Sequence, residues 1–255
     1  MNSVALGVNI FETPQWTRCK ENLLPFKSKM SFYCLQHQED KVNSNGFERL
    51  NCIQKRAKNF IQLSNSTKPL VYELLDGLAS VGKDYFVFMN SDIILSETAV
   101  EWMLNQNQYE TACFSRVNID PENQRNFEVW APYGFDVFFI RTSWWKSNRE
   151  KFLSLPNTYA EPCWDLAYAA TLHLNSSCYY HNKIPIIYHI GHEGRWNVET
   201  LEGSYSQNIF VGLSVFKVWY DYFGKTVLSR KYVNGEISSD RINEELAIEK
   251  KVFGR

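Results

Sequence analysis

Short apolar runs alternate with amphipathic stretches along the chain, which predicts a sheet covered by helices. Strands are predicted at residues 3–11, 30–36, 85–88, 111–117, 133–140 and 183–189. Helices are predicted at 16–27, 68–81, 96–104, 162–174, 208–222 and 240–252, with a short one opening at Trp144. Residues 47–61 suit a helix, or a helix and a short strand. Strands that alternate with helices predict an α/β fold whose sheet is mostly parallel.

One stretch in the middle of the chain combines a buried strand with a carboxylate. The apolar run that starts at Tyr85 breaks at Asn90-Ser91-Asp92, apolar residues resume at 93–95, and Ser96 opens the next helix as its N-cap. A carboxylate between two apolar runs is costly to bury unless it is paired or binds a metal. Ligands of parallel sheets bind at the carboxyl ends of the strands. Asp92 is therefore the first candidate functional residue, against the alternative of an ordinary Asn/Asp turn.

Composition narrows the class of protein. The 255 residues suit one domain, or one domain with an appendage. A net charge of −1 without a dense basic patch argues against nucleic acid. Six scattered cysteines without a Cys-x-x-Cys pair favour free thiols and a reducing, cytoplasmic location. No export signal is recognised, and no apolar run is long enough for a transmembrane helix.

The segment Phe-Met-Asn-Ser-Asp-Ile-Ile-Leu, residues 88–95, resembles the strand and Asp-x-Asp motif of GT-A-fold glycosyltransferases. The resemblance implies that Asp92 binds Mn²⁺ or Mg²⁺ on the diphosphate of a nucleotide sugar. It also implies that Asn90 and Ser91 contact the donor. The first acidic position of the motif is Asn90 here, so one negative charge is missing. Its amide oxygen can still contact a ribose or a metal.

A second segment, residues 189–196, resembles the His…Gly…Lys…Trp segment of glycogenin-like retaining glycosyltransferases. The resemblance implies that His189 is a metal ligand and that Arg195 binds the diphosphate, for which a guanidinium is well suited. His192 is the competing metal ligand. The alternative is a histidine at a strand end that hydrogen-bonds a loop carbonyl.

Glu161 and Asp165 lie one helical turn apart at the start of the predicted helix 162–174. Several GT-A families place an acidic general base at the start of the matching helix. The resemblance therefore implies that Asp165, or else Glu161, deprotonates the acceptor. Such a base would be tuned toward neutral pH by partial burial. The alternative is that these acids only complement the helix dipole.

Further donor contacts are expected from Gly134, Asp136 and Trp164. Asp136 interrupts an apolar strand and could bind hydroxyls of the donor sugar, or it could pair with an arginine such as Arg141. Aromatic residues cluster in the second half of the chain, where one or two are expected to stack on a sugar and the others to pack in the core.

The hypothesis is a GT-A-like, Rossmann-like catalytic domain at 1–200 with a C-terminal helical extension at 201–255. It would transfer a sugar from a nucleotide-diphosphate donor, UDP-linked by family habit, to a carbohydrate or other hydroxyl acceptor with metal assistance. A non-catalytic sugar- or protein-binding relative and a sugar-nucleotide pyrophosphorylase are the alternatives. Retention and inversion stay open, because the glycogenin-like segment suggests retention and a base at Asp165 suggests inversion. Residues 208–222 could contact a membrane surface, although their nearly all-round apolar character favours a buried helix.

Overall fold

Strands of one mixed sheet form the centre of the computed structural model. The structure describes residues 1–44, 46–56, 67–119, 127–153, 159, 164–181 and 187–191. Of residues 127–133, 180 and 181 it describes only the backbone. The described strands are β1 (Val4–Val8), β2 (Ser31–His37), β3 (Glu48–Ile53), β4 (Tyr85–Met89), β5 (Ile93–Leu95), β6 (Thr111–Ile119), β7 (Phe127–Arg141), β8 (Cys178–His181) and β9 (Ile187–Ile190). The described helices are α1 (Pro14–Leu23), α2 (Val71–Ser80), α3 (Glu97–Asn105), α4 (Thr142–Asn148), α5 (Glu150–Leu153) and α6 (Trp164–Asn175).

The sheet runs in the order β3-β2-β1-β4-β7-β6-β9-β5, with β8 beside β6. Its first four strands are parallel, while β7 is antiparallel to both β4 and β6, and β5 is antiparallel to β9. Strand β6 is parallel to β8 and β9. The prediction of an α/β fold with a mostly parallel sheet flanked by helices is confirmed. The parallel order places the carboxyl ends of β1, β2 and β4 at one edge.

Local sequence accounts for where several helices begin. Thr13 caps α1 by accepting a hydrogen bond from the amide of Trp16, and Pro14 occupies the first turn, where its missing amide hydrogen costs nothing. The predicted N-cap of α3 is confirmed, because the hydroxyl of Ser96 accepts from the amide of Ala99 at 3.2 Å. Gly82, with φ of 79°, follows the end of α2 in the left-handed region that favours glycine.

Two predictions about the first half were wrong in part. Of the two alternatives for residues 47–61, a helix throughout is wrong, because residues 48–53 form the short strand β3, which pairs in parallel with β2. The helix predicted from residue 68 begins at Val71, since Leu70 has extended backbone and Pro69 bridges to Arg56. Residues 57–61 lie outside the described part of the chain.

Helices cover both faces of the sheet. One buried cluster joins residues of α1 and α3 to one face, and the other joins residues of α2, α4 and α6 to the opposite face. Helix α2 lies so close to β1 that a Cβ added at Gly7 would come within 2.5 Å of the Leu78 side chain. This close packing fixes β1 and its neighbour β4, which carries the candidate site at its end.

Other sequence predictions concern thiols, membranes and the C-terminal region. The described cysteines (Cys19, Cys34, Cys52, Cys113 and Cys178) are all free, as predicted. None of the described helices has the length and apolar character needed to cross a bilayer. The helices predicted at 208–222 and 240–252, and with them the extension at 201–255, lie outside the described residues.

Candidate active site

The motif at residues 90–92 lies at the carboxyl end of β4, as predicted. The amide of Asn90 donates to the carbonyl of Asp136 at 3.1 Å, which continues the pairing of β4 with β7 by one residue. Ser91 is buried, and Asp92 lies in the turn that leads into β5. The motif therefore projects from the edge of the sheet where ligands of parallel sheets bind.

The structure brings Asp92 and His189 together, although 96 positions separate them in the sequence. Strand β5 pairs with β9 so that Ile93 lies opposite His189, and the amide of Ile190 donates to the carbonyl of Asp92 at 3.0 Å. The imidazole Nε2 of His189 lies 3.5 Å from Oδ2 of Asp92, and the two side chains are 10% and 13% exposed. A carboxylate and an imidazole thus face each other in a mostly buried space.

Asn118 orients the imidazole ring. Its amide oxygen lies 3.0 Å from Nδ1 of His189, and an amide oxygen can only accept, so Nδ1 carries the proton in this arrangement. In a neutral imidazole, Nε2 then presents its lone pair to the same space as the carboxylate of Asp92. Metal-binding histidines commonly have such a partner on the second ring nitrogen.

The pair fits a shared cation. Ligand atoms at about 2.1 Å from one ion, at angles of about 90° to 110°, lie roughly 3.0 to 3.4 Å apart. The observed 3.5 Å is close to that separation, and it exceeds the length of a charge-assisted hydrogen bond. Within the described residues, no group of three His, Cys, Asp or Glu side chains could hold a metal. A complete site would therefore need further ligands, for which substrate phosphates and water are the usual source.

A second polar group borders this pair. The guanidinium of Arg116 forms an ion pair with Oδ2 of Asp136, and Nδ2 of Asn90 donates to Oδ1 of Asp136 at 2.6 Å. Asp136 is 3% exposed, so both of its carboxylate oxygens are satisfied inside the protein. The buried amide oxygen of Asn90 has no hydrogen-bond partner among the described residues. Asp136 therefore fixes the amide of Asn90 and leaves that oxygen as an acceptor for a ligand.

A β-bulge explains the position of Asp136. Phe114 pairs with Val137, but the next residue of β6, Ser115, pairs with Phe135, so Asp136 is an extra residue in β7. Bulges of this kind redirect a side chain and are common beside active sites. The arginine that pairs with Asp136 is Arg116 and not Arg141, whose guanidinium instead donates to the hydroxyl of Tyr85 and the carbonyl of Asn107.

Asp165 lies near the ion pair of Arg116 and Asp136. It lies in the first turn of α6, and its Oδ2 accepts from the amide of Phe135 at 3.2 Å. Burial raises the pKa of Asp165 to about 7, and the negative charge of Asp136 adds to the rise, whereas Arg116 opposes it. A carboxyl that titrates near neutral pH can accept a proton from a hydroxyl and release it to water.

Two residues of this site were not predicted from the sequence. Arg116 and Asn118 lie two positions apart on β6 and so face the same side of the sheet. The negative charges of Asp136, Asp165 and Asp92 all raise the pKa of Arg116, although burial alone would lower it. The available signal was a polar residue at every second position near the end of an apolar strand.

The remaining candidates differ in their placement. Trp164 is 4% exposed and packs against Phe88, Phe138 and Tyr159 with ring centroids 5.3 to 5.9 Å apart, which supports a packing role. Gly134 is partly buried next to the bulge. Glu161, His192 and Arg195, which were predicted as base, metal ligand and phosphate ligand, lie outside the described residues.

Comparison with solved structures finds similar chains at low sequence identity. No protein-family model matches the sequence, and no curated protein matches it. A glycosyltransferase involved in the glycosylation of the major capsid of PBCV-1 is similar at 12% identity and a TM-score of 0.43, over 78% of this chain and 96% of that one. The glycosyltransferase GlyE of Streptococcus pneumoniae TIGR4 is similar at 12% identity and a TM-score of 0.45, over 89% of this chain and 64% of that one. The inositol-1-phosphate CTP transferase from T. maritima is similar at 13% identity and a TM-score of 0.44, over 82% of this chain and 96% of that one. These values do not establish a shared function.

Proposed function

We propose that the protein is a metal-dependent glycosyltransferase that uses a nucleotide-diphosphate sugar, with UDP as the nucleotide. The observation that carries the proposal is the approach of Asp92 and His189 to 3.5 Å at the carboxyl end of β4. It supports the resemblance of residues 88–95 to the Asp-x-Asp motif, because the last carboxylate of that motif is the one that meets a histidine from a distant strand.

Asp92 and His189 would hold Mn²⁺ or Mg²⁺. When bound, such a cation neutralises the charge that develops on a departing diphosphate. Asn118 keeps the imidazole in the tautomer that this role requires. His192 and Arg195, six positions or fewer after His189 in the sequence, are proposed as the competing ligand and the phosphate-binding cation.

Asn90 and Asp136 would act together on the donor. The carboxylate of Asp136 forms an ion pair with Arg116 and accepts a hydrogen bond from Asn90. Its proposed role is therefore to position Asn90 rather than to bind a sugar hydroxyl itself. The amide oxygen of Asn90 is then the group offered to the ribose or the cation. Ser91 and Gly134 would line the donor side of the same edge.

Asp165 is the proposed general base. Its raised pKa, about 7, keeps a useful fraction of the carboxyl ionised at neutral pH while making that carboxylate basic enough to take a proton from an acceptor hydroxyl. Glu161 is the alternative base. A base in direct contact with the acceptor predicts inversion of the anomeric centre, which product analysis would report.

Isothermal titration with UDP tests the proposal. We expect Mn²⁺ to add a UDP-binding event that EDTA removes and that Asp92→Ala lacks, because the diphosphate and Asp92 share the cation. The same titration with sugar alone tests the second candidate, a non-catalytic sugar-binding relative, which the Asn90 replacement of an acidic motif position favours. Sugar binding without any metal-dependent binding of UDP would support that candidate and reject the transferase.

A further inference from the structure

A concave surface lies at the edge of the sheet opposite the candidate active site. It encloses about 600 Å³ between the start of β4, the end of β7 and the start of α4. Its lining includes the cations Lys83, Arg141 and Lys146, together with Asp84 and Thr142. Small-molecule sites commonly have volumes of about 300 to 1,000 Å³, so this cavity is large enough for a ligand.

This cavity is separate from the candidate active site. Lys83 precedes β4, and Asp92 follows it. Because β7 is antiparallel to β4, Arg141 lies opposite Tyr85 at the start of β4, and Val137 lies opposite Met89 at its end. A five-residue strand is roughly 16 Å long. The two sites thus lie at opposite ends of the same two strands.

The charge of the cavity is positive in a protein whose net charge is −1. Among the described residues, Lys83, Arg141 and Lys146 form no ion pair with a carboxylate. The single carboxylate in the lining, Asp84, accepts from the amide and the hydroxyl of Ser3 at 2.9 and 2.8 Å. Three cations against one internally bonded carboxylate leave an excess of positive charge, which attracts anions into a cleft.

Part of this cationic group is held in place. The guanidinium of Arg141 donates to the hydroxyl of Tyr85 at 3.0 Å and to the carbonyl of Asn107 at 3.1 Å, and it lies 5.2 Å from the centre of the Tyr85 ring. The guanidinium is therefore held in a fixed position, and its planar set of donors suits a phosphate group.

The positive surface continues beyond the cavity. A smaller cavity of about 160 Å³ also includes Lys83 in its lining and adds Lys27 and Lys29. Lys83 therefore lines both cavities, one with Arg141 and Lys146 and the other with Lys27 and Lys29. Both lie at the end of β4 opposite Asp92. A ligand with more than one phosphate could contact both cavities at once.

We propose that this basic cavity is a binding site for the phosphate groups of a soluble ligand, distinct from the donor site. Lys83 and Lys146 supply ammonium groups, and Arg141 supplies a guanidinium that Tyr85 and Asn107 hold in place. The volume of about 600 Å³ has room for a small phosphate-bearing ligand.

Titration with inorganic pyrophosphate in EDTA tests this site, because EDTA removes the cation that the candidate active site needs. We expect binding to the wild-type protein, and binding at least tenfold weaker for the double variant Lys83→Ala/Lys146→Ala. The matched control, Arg18→Ala/Lys41→Ala, removes the same charge from exposed positions outside both cavities, and its affinity should stay within twofold. Asp92→Ala should also leave the affinity unchanged, which separates this site from the proposed transferase function.

Absence of pyrophosphate binding, or equal weakening by the control variant, would overturn the proposal. Sedimentation with vesicles of phosphatidylcholine containing phosphatidic acid distinguishes a lipid headgroup from a free phosphate. Competition by pyrophosphate for any vesicle binding supports the phosphate site. Vesicle binding that pyrophosphate does not reduce, with no binding of pyrophosphate itself, would assign this face to a membrane surface and reject the proposal.

Discussion

Replacing Asp165 by asparagine should change the pH dependence of stability in a defined direction. The amide keeps an oxygen for the amide hydrogen of Phe135 and removes the ionisable group. Burial, aided by the charge of Asp136, raises the pKa of Asp165 from 3.8 to about 7 in the folded protein. The folded state therefore holds the proton of Asp165 more tightly than the unfolded state does.

The sign and size follow from linkage between proton binding and folding. Below pH 3.8 the carboxyl is protonated in both states, so the raised pKa costs nothing. As pH rises toward 7, ionisation favours the unfolded chain, and wild-type stability falls relative to Asp165→Asn by about 1.4 kcal/mol per pH unit. Over the interval of about 3 units the difference reaches up to about 4 kcal/mol, and above pH 7 it is constant.

Urea unfolding of both proteins, followed by tryptophan fluorescence at pH values from 4 to 8, measures this difference. Glu101→Gln, which makes the same chemical change at an exposed position of α3, is the control and should follow the wild-type curve. A gap between wild type and Asp165→Asn that stays flat, or that narrows as pH rises, would refute the reasoning about Asp165 and remove the physical basis for its role as base.

Three further substitutions test other contacts by urea unfolding. Asp136→Asn should lower the free energy of unfolding by about 3 kcal/mol, because the largely buried guanidinium of Arg116 loses its counter-charge; an unchanged midpoint would contradict the pairing. Ser96→Ala should lower the free energy of unfolding by about 1 kcal/mol, because the N-cap of α3 is lost. Ser96→Asp should keep most of the stability that the cap contributes, because its carboxylate can also accept from the amide of Ala99. Gly7→Ala should cost about 1 to 3 kcal/mol, since the new methyl would lie 2.5 Å from the Leu78 side chain; a neutral effect would mean that this side chain rearranges easily.

Much of the fold was predictable because local patterns determined it. The apolar run that starts at Tyr85 and the N-cap at Ser96 each depend on a few neighbouring residues, and both predictions are confirmed. The sequence left residues 47–61 open between a helix and a helix with a short strand, because β3 has few fully buried residues. Its conformation depends on pairing with β2, which a local pattern does not contain.

The candidate site was predictable only in part, for the same reason. Asp92 was singled out by its place between two apolar runs, and its approach to His189 depends on the pairing of β5 with β9. The ion pair of Arg116 with Asp136 requires a bulge in β7, and a register shift of this kind leaves no local sequence signal. Residue types therefore indicated the chemistry, and strand register determined the partners.

The most direct test of the account is a titration of Mn²⁺, in the presence of UDP, followed by electron paramagnetic resonance of the free ion. The wild-type chain should bind one Mn²⁺, and the affinity should be at least about tenfold weaker in Asp92→Ala and in His189→Ala, because each removes one of two facing ligands. Glu101→Gln should bind as the wild type does. Equal Mn²⁺ affinity in all four proteins would contradict the claim that Asp92 and His189 share a cation.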